Sequence, residues 1–191
     1  MPRAIIGIGG NLGARRAIFS CAEALLSRAE GCTVFARSRL YASAPLGPPQ
    51  PDYLNAAFAA DWEADVPALF SLMRSIEQQL GRERRERWGP RTLDLDLLHW
   101  SEGPIRTAEL TVPHAELLFR SFALAPLLDV APDLEPIYGA ALLELGGPPP
   151  LATPGWLTPG APGYALHLDP PALSAQSELL VSTVQQCGDL T

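Results

Sequence analysis

The chain has 191 residues, 47% of them hydrophobic, with 14 basic and 21 acidic side chains and a formal charge of −7. That is enough apolar material for one ordinary domain with an appendage, and it excludes wholesale disorder. The acidic balance argues against broad nucleic-acid binding, which needs a basic face, but leaves room for a local basic pocket.

Residues 3–9 (RAIIGIG) read as a short buried strand ending at glycines. Asn11 is the expected N-cap of a helix over 12–28, with Leu12, Ile18, Ala22, Leu25 and Leu26 on one face and a stop near Gly31. Residues 33–42 alternate as a second strand, RLYASAPLGPPQPDY holds a proline-rich loop, and 54–62 make a third strand. Pro67 opens a helix over 67–80, whose stripe is Leu69, Leu72, Met73, Ile76 and Leu80 and which ends before Gly81. TLDLDLLHW, residues 92–100, alternates as a strand. A further short strand falls within 103–113, and 120–130 reads as a helix despite Pro126.

This β-α-β-β-α-β order predicts an α+β, ferredoxin-like βαββαβ sandwich: a mainly antiparallel sheet with helices on one face. Domain 1–146 is followed by an extension, 147–191. Thirteen of the 26 residues from 146 to 171 are Gly or Pro, which forbids long helices and central strands there. Trp156, Tyr164 and Leu166 are the candidates for packing it down, and SELLVSTVQQ has the pattern of a short amphipathic helix. Cys21, Cys32 and Cys187 make neither a disulfide framework nor a CxxC zinc pattern, so a reducing compartment is the simplest setting. No run reaches transmembrane length and the N-terminus lacks a signal-peptide core; a cytoplasmic protein without a membrane partner is expected.

The chemistry concentrates in RERRERWGPRTLDLDLLHW, residues 82–100. Strand alternation puts Asp94 and Asp96 on one face, with Cα atoms roughly 6.5–7 Å apart, and Leu93, Leu95 and Leu97 on the other. Two such carboxylates suit Mg²⁺, a hard ion that keeps waters and phosphates in its shell. A merely acidic edge strand has the same pattern. Arg82, Arg84, Arg85, Arg87 and Arg91 fall in ten positions interrupted by Gly89-Pro90, so they read as a loop. Guanidinium groups fork onto phosphate oxygens, and beside the aspartates they suit a triphosphate. A solvated, salt-bridged surface is the competing reading. GIGGNLG is no clean dinucleotide fingerprint and lacks a P-loop GK[ST]; a tight strand-to-helix turn explains it. A nucleotide- or RNA-binding module, and a partner-binding protein working through its tail, remain alternatives from other classes.

GIGGNLG, YASAPLGPPQPDYLNAA, IEQQLGRERRERWGPRTLDLDLL and LTVPH with the R-x-F-x-L-x-PL-x-x-VAPDL that follows resemble, in order and over about residues 4–138, the hydroxymethyl-dihydropterin pyrophosphokinases of folate biosynthesis. The resemblance implies transfer of pyrophosphate from ATP to the hydroxymethyl group of a reduced pterin, releasing AMP. It implies Asp94 and Asp96 as ligands of a pair of Mg²⁺ ions, and Arg82 and Arg91 as the catalytic arginines. Glu77, Arg84, Trp88, Leu97, Thr111, His114 and Arg120 would serve the nucleotide side. Tyr53 and Phe122 would flank the pterin ring, with Asn55, Ser43, Pro45 and Leu46 completing its pocket. The expected partners are the two small molecules, with no nucleic acid, and the chain is expected to act as a monomer. Residues 43–53 and 82–91 would move as lids over both substrates. Four departures from the family pattern stand out: Ser43 for a frequent threonine, Ala115 for a tyrosine, Arg74 for a glutamine, and an arginine loop one residue shorter.

Overall fold

The computed structural model of the chain describes residues 1–82, 89–153, 155 and 156. Strands β1 (Arg3–Gly10), β2 (Cys32–Arg37), β3 (Tyr41–Ser43), β4 (Tyr53–Trp62) and β5 (Asp94–Trp100) build one sheet. Its order is β2-β4-β1-β5, with β3 also on β4, and each pairing is antiparallel. Helices α1 (Arg15–Arg28) and α2 (Val66–Gln79) supply the two crossovers of the expected sandwich. Strands β6 (Ile105–Arg106) and β7 (Thr111–Val112) form a separate two-residue ladder where one short strand was expected.

Helices α3 (Ser121–Val130) and α4 (Glu135–Glu144) change the expected one-sided layering. They cover the second face of the sheet, so the fold has three layers. One core joins Ile6, Ile8, Phe58, Leu95 and Leu97 to Phe19, Leu26, Leu69, Met73 and Ile76 of α1 and α2. The other joins Ile5, Ala57, Ala59 and Leu98 to Leu124, Leu127, Leu134 and Tyr138. Period-2 alternation along β1 deals Ile5 to one core and Ile6 to the other, which is how a sheet buried on both sides reads in sequence.

Local chemistry explains most boundaries. Asp65 caps α2, its carboxylate accepting from the Ala68 N–H at 2.9 Å. Asn11 does not cap α1, which starts at Arg15 after Gly13 (φ 67°) and has no side-chain cap. The Asn11 amide is committed elsewhere, between two loops. The predicted strand 33–42 divides at Ser38, whose Oγ accepts from the Ala57 N–H and donates to the Arg39 carbonyl. These local bonds replace ladder bonds and bend the chain.

Candidate active site

The cavity lies on the α3 side of the sheet, beyond the end of the second core. There Gly7 and Gly9 of β1 stand opposite Asp96 and Asp94 of β5. Farther along the same face, Ile5 meets α3; at Gly7 and Gly9 there is no side chain to do so. A Cβ on Gly7 would lie 3.0 Å from Leu98, and one on Gly10 would collide with the Thr92 carbonyl. Glycine thus opens the space and lets the chain before β5 approach β1. The result is a cleft of about 860 Å³, counting its open mouth.

Both aspartates line this cleft with Arg91, His114 and Arg120. Asp94 Oδ1 lies 2.7 Å from Arg82 Nη1, and its Oδ2 lies 2.5 Å from Arg91 Nη1. Arg82 also pairs with Glu77. Glu77 is buried in α2 and accepts from the Leu95 N–H at 2.7 Å, which ties α2, Arg82 and β5 together. Burial pushes the Glu77 carboxyl up, against the pull of the Leu95 N–H and Arg82. Burial likewise pushes Asp96 up, and the charge of Asp94 acts in the same direction; His114, Arg120 and Arg82 offset only part of this. His114 Nδ1 accepts from the Glu116 N–H at 3.2 Å, which leaves Nε2 to donate when the ring is neutral.

The opposite wall is flat and partly apolar: Tyr53, Phe122, Leu46 and Leu117, with Ser43 and Asn55 as its polar groups. Asn55 Nδ2 donates to Ser43 Oγ at 2.9 Å. The Arg120 guanidinium sits 5.8 Å from the Phe122 ring centre and pairs with Glu116. Such a cleft takes a planar, hydrogen-bonding heterocycle at one end and a polyanion with cations at the other.

Asn11 connects the walls. Its Nδ2 donates to Gln50 Oε1 (2.9 Å) and the Pro51 carbonyl (3.0 Å), and its Oδ1 accepts from the Arg91 N–H (2.8 Å). Tyr53 OH adds a bond to the Gly89 carbonyl at 3.2 Å. The loop before β4 and the segment entering β5 are therefore joined through one buried amide.

The sequence profile of the 7,8-dihydro-6-hydroxymethylpterin-pyrophosphokinase (HPPK) family matches residues 5–132. The chain belongs to this family. Three similar proteins carry the name 2-amino-4-hydroxy-6-hydroxymethyldihydropteridine pyrophosphokinase. The one from Synechocystis sp. is 40% identical over 143 residues, spanning 74% of this chain and 73% of its own. Those from Methylorubrum extorquens and Pseudomonas aeruginosa are also 40% identical, spanning 70% and 76% of this chain and 85% and 90% of theirs. A crystal structure of an HPPK-DHPS in complex with substrates superposes with a TM-score of 0.58 at 11% identity, covering 75% of this chain. The chain spans 44% of that protein, and at this identity the likeness shows the fold alone.

Of the residues singled out by the HPPK resemblance, Ser43, Leu46, Tyr53, Asn55, Arg91, Asp94, Asp96, His114, Arg120 and Phe122 line one cleft. Pro45 lies between two lining residues, Ala44 and Leu46, without lining the wall itself. Arg82 and Glu77 stand behind the wall and reach it through Asp94 and Leu95. Leu97 needs correction: alternation turns its side chain into the α1/α2 core, where it is buried. Thr111 is exposed on β7, outside the cleft wall. Arg84 and Trp88 lie outside the described residues. Arg74 is exposed on α2, its guanidinium 5.5 Å from the Phe70 ring centre, and Ala115 is also exposed. Sequence reasoning missed Leu117 and the loop-joining role of Asn11 and Gln50. The only signal for the latter was a polar pair flanked by glycines and prolines.

Proposed function

We propose that this chain transfers the pyrophosphoryl group of ATP to the hydroxymethyl group of 6-hydroxymethyl-7,8-dihydropterin, giving the pterin diphosphate and AMP in folate biosynthesis. The observation that carries the reading is the cleft itself, with paired aspartates and arginines at one end and an Asn–aromatic wall at the other. The aspartates fit Mg²⁺ by their chemistry: hard oxygen donors on one strand face, one of them held where burial and a like charge disfavour its ionised form. Asp94 and Asp96 would hold the Mg²⁺, which when bound would supply charge neutralisation to the triphosphate.

The protein's own part is positioning and charge compensation. Asn55 and Ser43 read the amide edge of the pterin while Tyr53 and Phe122 flank its ring. This orients the hydroxymethyl oxygen in line with the β-phosphorus. The new O–P bond forms as the bond from the β-phosphorus to the α-phosphate oxygen breaks, and the substrate hydroxyl gives up its proton. Arg82 and Arg91 now engage Asp94; handing their charge to the phosphates as nucleotide arrives makes them transition-state groups. His114 and Arg120 hold the rest of the polyphosphate, and Arg84 and Trp88 serve the nucleotide. The enzyme works as a cytoplasmic monomer on two small molecules, with no nucleic-acid partner. No helix among the described residues is long and apolar enough to cross a membrane.

The direct assay is AMP release from ATP with hydroxymethyl-dihydropterin and Mg²⁺. Activity that depends on all three and is lost in Asp94→Ala and Asp96→Ala with the circular dichroism unchanged is expected. AMP release that ignores the pterin overturns the proposal.

A further inference from the structure

The first part of the Pro/Gly-rich extension is built into the domain. After α4 the chain turns through Gly146 and Gly147, at φ 86° and 85°, and meets the edge of β3 that β4 leaves open. The Ala42 N–H donates to the Pro150 carbonyl (2.8 Å) and the Ala152 N–H to the Leu40 carbonyl (2.8 Å). Tyr41 and Leu151 face each other as an antiparallel bridge. Trp156 then inserts on the α1 side, its ring centre 6.2 Å from Phe19 and 5.6 Å from Phe58, with Arg37 5.5 Å over it. Its Nε1–H donates to the Ser38 carbonyl at 2.6 Å.

These contacts grip both ends of the segment 38–42. Strand β3 is three residues long, so its pairing with β4 supplies few bonds of its own. It ends in Ser43, which fixes the Asn55 amide at 2.9 Å. An amide whose Nδ2 already serves Ser43 has one further hydrogen and Oδ1 for a ligand, so the position of Ser43 decides which edge is presented. We propose that residues 150–152 and Trp156 form a positioning strap that, through the backbone of β3, holds Ser43 and the Asn55 amide in register with the pterin edge. This rests on the pyrophosphokinase reading and extends it to a segment outside the family match, which ends at residue 132.

Two substitutions in the full chain test the strap without emptying the core. Ala152→Pro removes the donor to Leu40; Trp156→Phe keeps an aromatic ring but loses the N–H to Ser38 and part of the indole's packing on Phe19 and Phe58. Ala152→Pro is expected to raise the Michaelis constant for the pterin about tenfold and to leave that for ATP within about twofold. Hydrogen exchange at the Ala42 amide should accelerate in the same variant. Trp156→Phe should shift the pterin constant in the same direction by less. Combining Ala152→Pro with Ser43→Ala should cost no more than the larger single effect, because both act through one hydrogen bond. Equal shifts for both substrates, additive effects, or a lower melting temperature with unchanged pterin binding would overturn the strap and leave an ordinary stabilising edge. A wild-type chain that releases no AMP would instead overturn the function, and the pterin role with it.

Discussion

Two carboxylate–arginine clusters face the same side of the sheet, and they are built in opposite senses. Asp129 of α3 accepts from Arg39 Nε (3.0 Å), Arg39 Nη2 (2.6 Å), the Arg39 backbone N–H (3.0 Å) and Tyr41 OH (2.9 Å). Burial alone would raise its carboxyl; these donors outweigh burial and hold it below the usual range. Burial lifts the partner Tyr41 to about 12, with help from Asp129. Asp96 in the cleft is pushed the other way, by burial and by its neighbour Asp94. The first cluster satisfies its charge internally and pins α3 to β3. In the second, Arg82 and Arg91 pair with Asp94 while the Asp96 carboxyl stays raised. A carboxylate in a cleft whose environment disfavours its charged form is a candidate functional group.

The largest break in that comparison should come from Asp94→Ala or Asp96→Ala, each lowering kcat by about 10³-fold or more in a saturated AMP-release assay. For Asp96→Asn the melting temperature should not fall, because the substitution removes a repulsive charge from a functional site. Asp129→Ala should do the reverse. It leaves the Tyr41 hydroxyl and an Arg39 N–H without their acceptor, costing about 2 kcal/mol, or roughly 4–8 °C in calorimetry, with turnover retained. The exposed Arg39 guanidinium itself deserves little of that credit.

The same pair has a pH signature. Because the folded carboxyl of Asp129 lies below its unfolded value near 3.9, its contribution is complete above that value and is lost as pH falls through the folded one. The stability gap between wild type and Asp129→Asn, measured by urea denaturation, should therefore be flat from about pH 5 to 8 and shrink below about pH 4. A gap that grew with acidity would contradict the assignment.

Smaller effects sharpen the picture. Asn11→Ala frees the two loops that meet at one buried amide; it should cost about 1–2 kcal/mol and raise both Michaelis constants together, unlike a strap variant. Thr111→Ala, on an exposed β7 position outside the cleft wall, should change stability by less than about 0.5 kcal/mol and leave the pterin constant alone.

Much of the site was legible before folding. Alternation in TLDLDLL placed Asp94 and Asp96 together and Leu95 on the far side, because side-chain period along a strand is a covalent property. Pro67 and Gly81 bounded α2 for equally local reasons, while its Asp65 cap went unread. Asn11 misled for the opposite reason: an amide serves any donor or acceptor within reach, and here Gln50 and Arg91, distant in sequence, won it from the helix end. Leu97 was carried into the nucleotide site by family position although its place in the alternation already sent it elsewhere. Helix α4 went unread, its EPIYGAALLE pattern giving no clean apolar stripe.

What local sequence determined is therefore most of the elements and the facing of residues along each: period and capping act within a few residues of the chain. Only the tertiary structure decided which face became cavity and which became core. That outcome depends on α3 covering Ile5 and stopping short of Gly7 and Gly9, and on Trp156 reaching back to Ser38. Packing of this kind is set by volumes and donors brought together from distant positions, and no window of sequence contains them.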